Sequence, residues 1–141
     1  MLGKGAALRL LIVSVGLGVW MTAGTALADG GGEEIAYQVV DPDGVYLGVG
    51  DHPRSPGVMR ADDVWRAIPE YKQIIADELT EEDPKYHLLM LKATERFNRA
   101  LKTLAKRDAH DMLGEVGAIV ATGGGPIPDV TAEMIRLVTR T

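Results

Sequence analysis

Three histidines are the residues of this chain best suited to bind a metal, and their spacing argues against a metal site. His52, His87 and His110 lie far apart, and the sequence contains no cysteine. Structural and catalytic zinc sites usually take two of their ligands from positions only a few residues apart. We therefore expect three solvated histidines and no metal site.

Two glycine-containing segments resemble ligand-binding loops only in part. Asp41, Asp43 and Gly44 begin like a calcium loop, but the third oxygen ligand is missing and His52 stands where the twelfth-position glutamate belongs. Residues 123–125 are three glycines ahead of an expected helix, yet no Lys-Ser or Lys-Thr pair follows them, as a phosphate-binding loop would require. We interpret the first segment as a turn and the second as a linker.

Adjacent carboxylates include two clusters, at residues 62–63 and 81–83. Both clusters fall at expected helix starts or tight turns, where acidic side chains interact favourably with free backbone amides. The serines and threonines include no G-x-S-x-G nucleophile motif. The sequence therefore predicts a protein that is not an enzyme and uses no cofactor.

The N-terminal residues have the three parts of a secretory signal peptide. Lys4 and Arg9 are followed by an apolar core at residues 10–20 and by the small-x-small sequence Ala26-Leu27-Ala28. The core is short compared with the roughly 20 residues that a membrane-spanning helix needs. We predict a signal peptide at residues 1–28 and a periplasmic or secreted mature chain with no transmembrane segment. An uncleaved anchor over residues 6–28 is the alternative.

The mature chain would carry 13 lysines and arginines against 20 aspartates and glutamates. Nucleic acids and anionic membrane surfaces are attracted to basic proteins, so this acidic balance disfavours both as partners. Without cysteines, an exported chain has no disulfide to stabilise it. Its stability must come from packing or from assembly.

Short strands are expected at both ends of the mature chain. Residues 35–40 and 45–49 should form a strand pair around the turn at residues 41–44, because proline and glycine favour that turn. Residues 50–57 are expected to form a loop. Residues 112–121 are apolar and predict one buried or half-buried strand.

Between these strands the hydrophobic period becomes helical. One face would hold Val64, Ile68, Tyr71, Ile75 and Leu79, with Pro69 marking a kink or a fresh helix start. A second helix should run over residues 84–107, with a heptad seam of Tyr86, Met90, Ala93, Phe97, Ala100 and Leu104. A last helix should follow Asp129, with Val130, Met134, Leu137 and Val138 on one face.

These elements predict one small α+β domain over residues 29–141. It should consist of a small antiparallel sheet, a short antiparallel α-helical hairpin at residues 62–107 and a C-terminal helix. The short connection at residues 80–83 is what makes the two hairpin helices antiparallel neighbours.

Three segments of the chain resemble a known family. They are residues 97–113 (FNRALKTLAKRDAHDML), residues 128–135 (PDVTAEMI) and residues 61–72 (ADDVWRAIPEYK). The first is similar to the helix-to-strand return of the Skp (OmpH-like) periplasmic chaperones. The second is similar to their terminal helix, and the third to the segment that leads into their first long helix. The hairpin of this chain is much shorter than the arms of that family, and the chain is more acidic.

The resemblance implies a trimeric, shortened-arm chaperone that holds unfolded or outer-membrane client proteins. On this hypothesis the client contacts are Val64, Ile68, Tyr71, Leu88 and Leu91. The matching apolar positions of the oligomer body are Leu113, Val116 and Ile119. A non-catalytic structural or interaction module of the cell envelope, with the hairpin as its docking face, is the alternative function.

The signal peptide gives a first testable prediction. We expect the exported protein to begin at Asp29, because the signal-peptide core is followed by a small-x-small cleavage sequence. N-terminal sequencing of exported protein measures this directly. A sequence that begins at Met1 or Leu2 would instead indicate an anchored chain.

Overall fold

Four α-helices and five short strands lie within residues 35–140, which are the residues that the computed structural model describes. The predicted signal peptide and the acidic segment up to Glu34 lie outside these residues. In the described range the predicted α+β class is confirmed. No helix in this range is both long and apolar enough to cross a membrane.

The strands form two small sheets. Strand β4 is the centre of a three-stranded sheet, antiparallel to β2 and parallel to β3, and β1 pairs with β5 in a separate antiparallel sheet. In chain order the strands are β1 (Tyr37–Val39), β2 (Val45–Leu47), β3 (Pro56–Met59), β4 (Met112–Glu115) and β5 (Ile119–Ala121).

The predicted strand pair around residues 41–44 is wrong. These residues form a short 3-10 helix, Pro42–Gly44, in which the Asp41 carboxylate accepts the Asp43 backbone N–H at 3.1 Å. The N–H groups of Val40 and Asp41 both donate to the Ala118 carbonyl, so the turn is held against the β4–β5 connection. The turn therefore sends β1 to one sheet and β2 to the other, and no hairpin forms.

Strand β3 lies where the sequence predicted the end of a loop. All four of its residues are buried, so the strand shows no alternation of apolar and polar side chains, as is usual for buried parallel strands. Proline is tolerated at the first residue of a strand, where it resembles a loop residue. The predicted single strand at residues 112–121 is in fact two strands, β4 and β5, separated by a turn at Gly117 with φ +91°.

The helices lie where the sequence predicted them. They are α1 (Ala61–Ala67), α2 (Pro69–Ala76), α3 (Pro84–Asp108) and α4 (Thr131–Thr139). The predicted face of α2 is wrong in its second half, however: Ile74 is buried, Ile75 is 58% exposed, and the helix ends at Ala76, before Leu79. Pro69 is the first residue of α2, so the fresh helix start is the correct alternative. Helix α2 packs along α3 as the predicted hairpin, and α4 packs against both α1 and α3.

Phe97 is the centre of the core. Its ring stacks on Trp65 of α1, with centroids 5.0 Å apart, and meets the edge of Tyr46 of β2 at 5.7 Å. The predicted α3 seam is buried from Ala93 to Leu104. Near the start of the helix Leu89 is buried, while the predicted seam residues Tyr86 and Met90 are only half-buried.

Arg96, next to Phe97, connects three helices. Its Nε and Nη2 donate to the Glu70 carboxylate of α2 at 3.0 and 2.8 Å. Its Nη1 donates to the carbonyls of Val138 and Arg140 at the end of α4, at 3.3 and 2.9 Å. The ion pair lowers the pKa of Glu70, and both side chains are largely shielded from water.

The core position of Phe97 gives the second testable prediction. We expect Phe97→Ala to lower the free energy of unfolding by about 3–5 kcal/mol, because a buried ring is replaced by a cavity. Lys92→Ala, on the exposed face of the same helix, should change it by less than about 0.5 kcal/mol. Denaturant unfolding of both variants measures the difference. Equal losses of unfolding free energy in the two variants would mean that a different face of α3 contacts the core.

The ion pair gives the third prediction, a change in pH dependence. Because the pKa of Glu70 is lowered in the folded protein, its stabilisation is present above the unfolded-state pKa and is lost as pH falls through the folded-state value. Glu70→Gln should therefore cost roughly 1–3 kcal/mol at pH 7. The gap between variant and wild type should narrow as pH falls below about 4.

Glu95→Gln is the matched control, since Glu95 is an exposed residue of α3. Its effect should stay below about 0.5 kcal/mol. Thermal unfolding from pH 3 to pH 7 gives both curves. A gap for Glu70→Gln that does not change with pH would contradict the assigned role of the ion pair.

Candidate functional site

Two of the predicted client contacts are in the core. Val64 and Ile68 are both fully buried, in the same apolar cluster as Phe97 and Met134. Their spacing therefore indicates the face with which α1 packs on the rest of the domain. The folded protein cannot offer them to a client, and this part of the predicted site is wrong.

The other three predicted contacts lie on two different surfaces. Tyr71 is half-buried and lines a cleft of about 320 Å³ with Trp65 and Met90. Leu88 and Leu91 are 52% and 58% exposed. At 100° per residue they lie on the solvent side of α3, away from its buried face. The structure thus does not bring the five residues together.

The predicted oligomer-body residues also separate by burial. Leu113 is fully buried and Ile119 is 2% exposed, so both contribute to the core of their own chain. Val116 is 50% exposed. Leu113 and Ile119 are therefore wrong as contacts to a neighbouring protomer, while a contact through Val116 stays a prediction.

The exposed Val116 lines an apolar cleft of about 350 Å³ beside β5, which we call the β5 cleft. Its exposed apolar walls include Val116 and Val120, the latter 39% exposed. Ile35 is also half-exposed, and it lies beside Gly125 at one end of the cleft. The lining is Val58, Val116, Gly117, Ile119, Val120, Ala121, Gly124, Gly125 and Ile127.

Two strand edges near this cleft are covered by other parts of the chain. Along the outer edge of β1, the Val39 N–H donates to the Asp51 carbonyl at 2.9 Å. Along the outer edge of β3, Val58 donates to the Pro128 carbonyl at 2.9 Å and accepts from the Val130 N–H at 2.8 Å. The chain itself therefore occupies backbone groups along both edges.

Asp129 holds the segment that covers β3. Its carboxylate accepts the backbone N–H and the hydroxyl of Thr131, the first residue of α4. These bonds lower the pKa of Asp129. The Thr131 hydroxyl in turn accepts the Arg60 N–H at 3.0 Å, which joins α4 to the start of α1. Asp129 thus bonds to the first residue of α4, while the N-cap position itself is Val130, one residue beyond the predicted cap.

The outer edge of β5 is also occupied in part, since Ile119 forms a bridge with Val116. Thr122 donates to the Ala36 carbonyl and Val40 donates to the Ala118 carbonyl. Alternate residues of an antiparallel strand bond to the same neighbour, so the backbone groups of Val120 face β1 and those of Ala121 face away from it. Outside the strand ladders, no backbone carbonyl of residues 35–140 accepts the Ala121 N–H, whereas the Ala121 carbonyl already accepts the Gly124 N–H at 3.1 Å. The Ala121 N–H lies at the β5 cleft.

The charge of the described residues is divided between the strands and the helices. The strand-containing segments, 35–59 and 109–130, hold six acidic residues and only one basic residue, Arg54. The acidic residues are Asp41, Asp43, Asp51, Asp111, Glu115 and Asp129. None of the residues that line the β5 cleft is charged, but the chain segments that supply them are acidic.

Glu115 links these acidic segments to the helices. Its Oε2 accepts the Tyr46 hydroxyl at 2.9 Å and the Ala61 N–H, the first of α1, at 3.0 Å. Burial and the nearby carboxylate raise the pKa of Tyr46 to about 12. Tyr46 therefore stays protonated and donates to Glu115 at all physiological pH values.

The three histidines lie in three different places, each with a ring nitrogen close to a backbone carbonyl. His52 faces Tyr37 at 3.4 Å, His87 faces Glu81 at 2.6 Å and His110 faces Ser55 at 3.2 Å. The described residues contain no group of three or more His, Cys, Asp or Glu side chains that could hold a metal ion.

The chain matches no protein-family model, no curated protein and no solved structure. The resemblance to the Skp chaperones therefore stays a prediction that rests on the three quoted segments. The β5 cleft was not predicted from the sequence. Its only sequence signals are the apolar residues 116–121 and the glycines that follow, which are also typical of an ordinary buried strand and linker.

Proposed function

We propose that this protein is a non-catalytic holdase of the cell envelope, a shortened Skp-like chaperone that binds exposed apolar segments of unfolded envelope proteins. The observation that carries the proposal is the β5 cleft, where apolar side chains stay exposed around a concave surface. Concave and mostly apolar surfaces are the usual form of a binding site. The contact surface is then this cleft, and not the predicted set on the hairpin.

Reversible holding requires only moderate affinity. Burying apolar surface stabilises a complex by about 25 cal/mol per Å². Much of that gain is offset by the lost freedom of two associating molecules. A single small cleft therefore suits a transient complex that releases its client without nucleotide hydrolysis.

An interaction module of the cell envelope is the second candidate. The hairpin favours it, because α2 has 8 residues against 25 in α3. Two arms of such unequal length cannot enclose a large client between them. A module of this kind would dock one partner and would be inert toward unfolded proteins in general. Assembly into a homo-oligomer, as the resemblance implies, belongs to the holdase proposal.

The fourth prediction tests the holdase with an aggregation assay. We expect the purified protein to suppress aggregation of an unfolded outer-membrane protein diluted from urea. Val120→Asp should reduce this suppression at least fivefold, because it places a charge on the apolar wall of the cleft. Leu88→Asp on α3 is the matched control, with a similar exposure and the same substitution, and it should keep the wild-type activity.

Circular dichroism of both variants checks that the fold is retained. Loss of suppression by Leu88→Asp alone would move the client contact to α3. A wild-type protein that is monomeric by light scattering and inert toward unfolded clients would contradict the holdase proposal and favour the interaction module.

A further inference from the structure

We propose that the β5 cleft binds its polypeptide as an added β-strand along the outer edge of β5, and that it prefers an apolar segment flanked by lysine or arginine. The inference rests on the proposed function, since it names the kind of segment that the holdase would select. The resemblance to the Skp chaperones implies neither strand addition nor a preference for charged flanks.

The geometry of β5 supplies the backbone contacts. The Ala121 N–H faces the cleft, and outside the strand ladders no backbone carbonyl of the described residues accepts it. The Ile119 carbonyl turns to the same side of the strand by the same alternation. Ile119 already forms a bridge with Val116, but a carbonyl oxygen has two lone pairs and can accept a second bond. A neighbouring strand would thus find one donor and one acceptor at the spacing of a β-ladder.

Glycines leave room for a second backbone. A Cβ atom added at Gly117 or Gly124 would meet no other atom within 4 Å. At Gly125 the nearest atoms, from Ile35 and Ala121, would be in ordinary contact at 3.8–3.9 Å. The cleft floor is therefore largely bare backbone at these positions, and a peptide chain can approach it closely.

The walls of the cleft define the side-chain pattern of the peptide. Side chains of a strand alternate between two faces, so only every second residue of an added strand would point toward Val58 and Ile127. Those residues should be apolar and the alternate ones can be polar. This alternation is typical of the strands of outer-membrane barrels.

The charge of the surroundings favours basic flanks. Glu115 directly precedes Val116, and Asp129 pairs with Val58 in an isolated bridge, so both acids are neighbours of lining residues along the backbone. Their carboxylates accept hydrogen bonds from Tyr46 and Thr131, and each keeps its negative charge within this part of the chain. Asp41 lies close to Gly44, which packs against Ala118. Lysine or arginine at the ends of the peptide would interact favourably with these carboxylates, and the attraction would weaken with salt.

The same charge disfavours a second copy of this chain as the occupant. Two copies joined through their β5 edges would bring two acidic surfaces together, and like charges across an interface cost free energy. A basic-flanked segment of another protein has the opposite charge. We therefore assign the cleft to a heterologous peptide.

The fifth prediction tests strand addition with fluorescence anisotropy on the labelled peptide Lys-Lys-Val-Thr-Val-Thr-Val-Lys-Lys. We expect it to bind at least tenfold more tightly than the same peptide with glutamate in place of every lysine, and this ratio should fall at 1 M salt. Methylation of one alternate set of backbone nitrogens should reduce binding at least tenfold. Methylation of the other set should leave it unchanged, because only one set faces β5.

Protein variants give a second measurement of the same edge. Ala121→Pro removes the outward N–H without touching a bond to β1 and should weaken peptide binding about tenfold. Ala121→Ser keeps that N–H and should bind as the wild type does. The methylated peptides need no change in the protein, so they decide the question even if the proline variant does not fold.

The outcomes separate this inference from the function on which it rests. If the protein suppresses aggregation but binds all methylated peptides equally, strand addition is wrong and the holdase proposal is retained. Equal binding of the lysine and glutamate peptides overturns the charge preference. A concentration-dependent homo-oligomer whose formation excludes the peptide assigns the cleft to a second copy and overturns the inference. Absence of suppression, with the peptide bound as expected, overturns the holdase alone.

Discussion

The Arg96 guanidinium is the constraint on which the arrangement of the helices depends. It donates to the carboxylate of Glu70 on α2 and to two carbonyls at the end of α4, while its own helix, α3, runs between them. Carbonyls at the end of a helix lack partners within the helix and need a donor from elsewhere. One planar cation thus serves both the hairpin and the terminal helix, beside the ring of Phe97 that fills the core. Because the pair is shielded from water, removing either partner would leave the other charge without compensation.

The positions of the helices were largely predictable from the sequence, because the 25-residue α3 is long enough to show its period, whereas the eight-residue α2 is not and buries Ile74 in place of the predicted Ile75. The predicted end of α3 at residue 107 agrees with the observed end at Asp108, and Pro69 correctly indicated a helix boundary. The strands have only three or four residues, too few for a period to be distinguished from a loop. The pairing partners of the strands could not be predicted from the sequence either. The sequence favoured pairing between neighbouring strands, whereas each N-terminal strand pairs with a strand on the far side of the hairpin.

The candidate site was harder to predict than the fold for a related reason. An apolar face of a helix has the same spacing whether it contacts the core or a partner, and Val64 and Ile68 proved to be core. The apolar strand residues Leu113 and Ile119 could likewise have contacted either the core or a partner. The β5 cleft depends instead on which backbone groups are already bonded, and that is decided by long-range pairing. No local pattern of residues contains this information.

The separation of strand partners by the hairpin has a consequence for folding kinetics. Val58 and Gly114 are neighbours in the sheet but lie on either side of the whole helical hairpin, and Tyr37 pairs with Ala121 across an even longer span. No strand of either sheet can find its partner until the C-terminal third of the chain is present. Contacts of such large sequence separation form late and slow the folding of a small domain. The hairpin, with contacts that are local, can form first and bring the two ends together. During that interval the strands of the protein are themselves unpaired segments, of the same chemical kind as the clients of the proposed holdase.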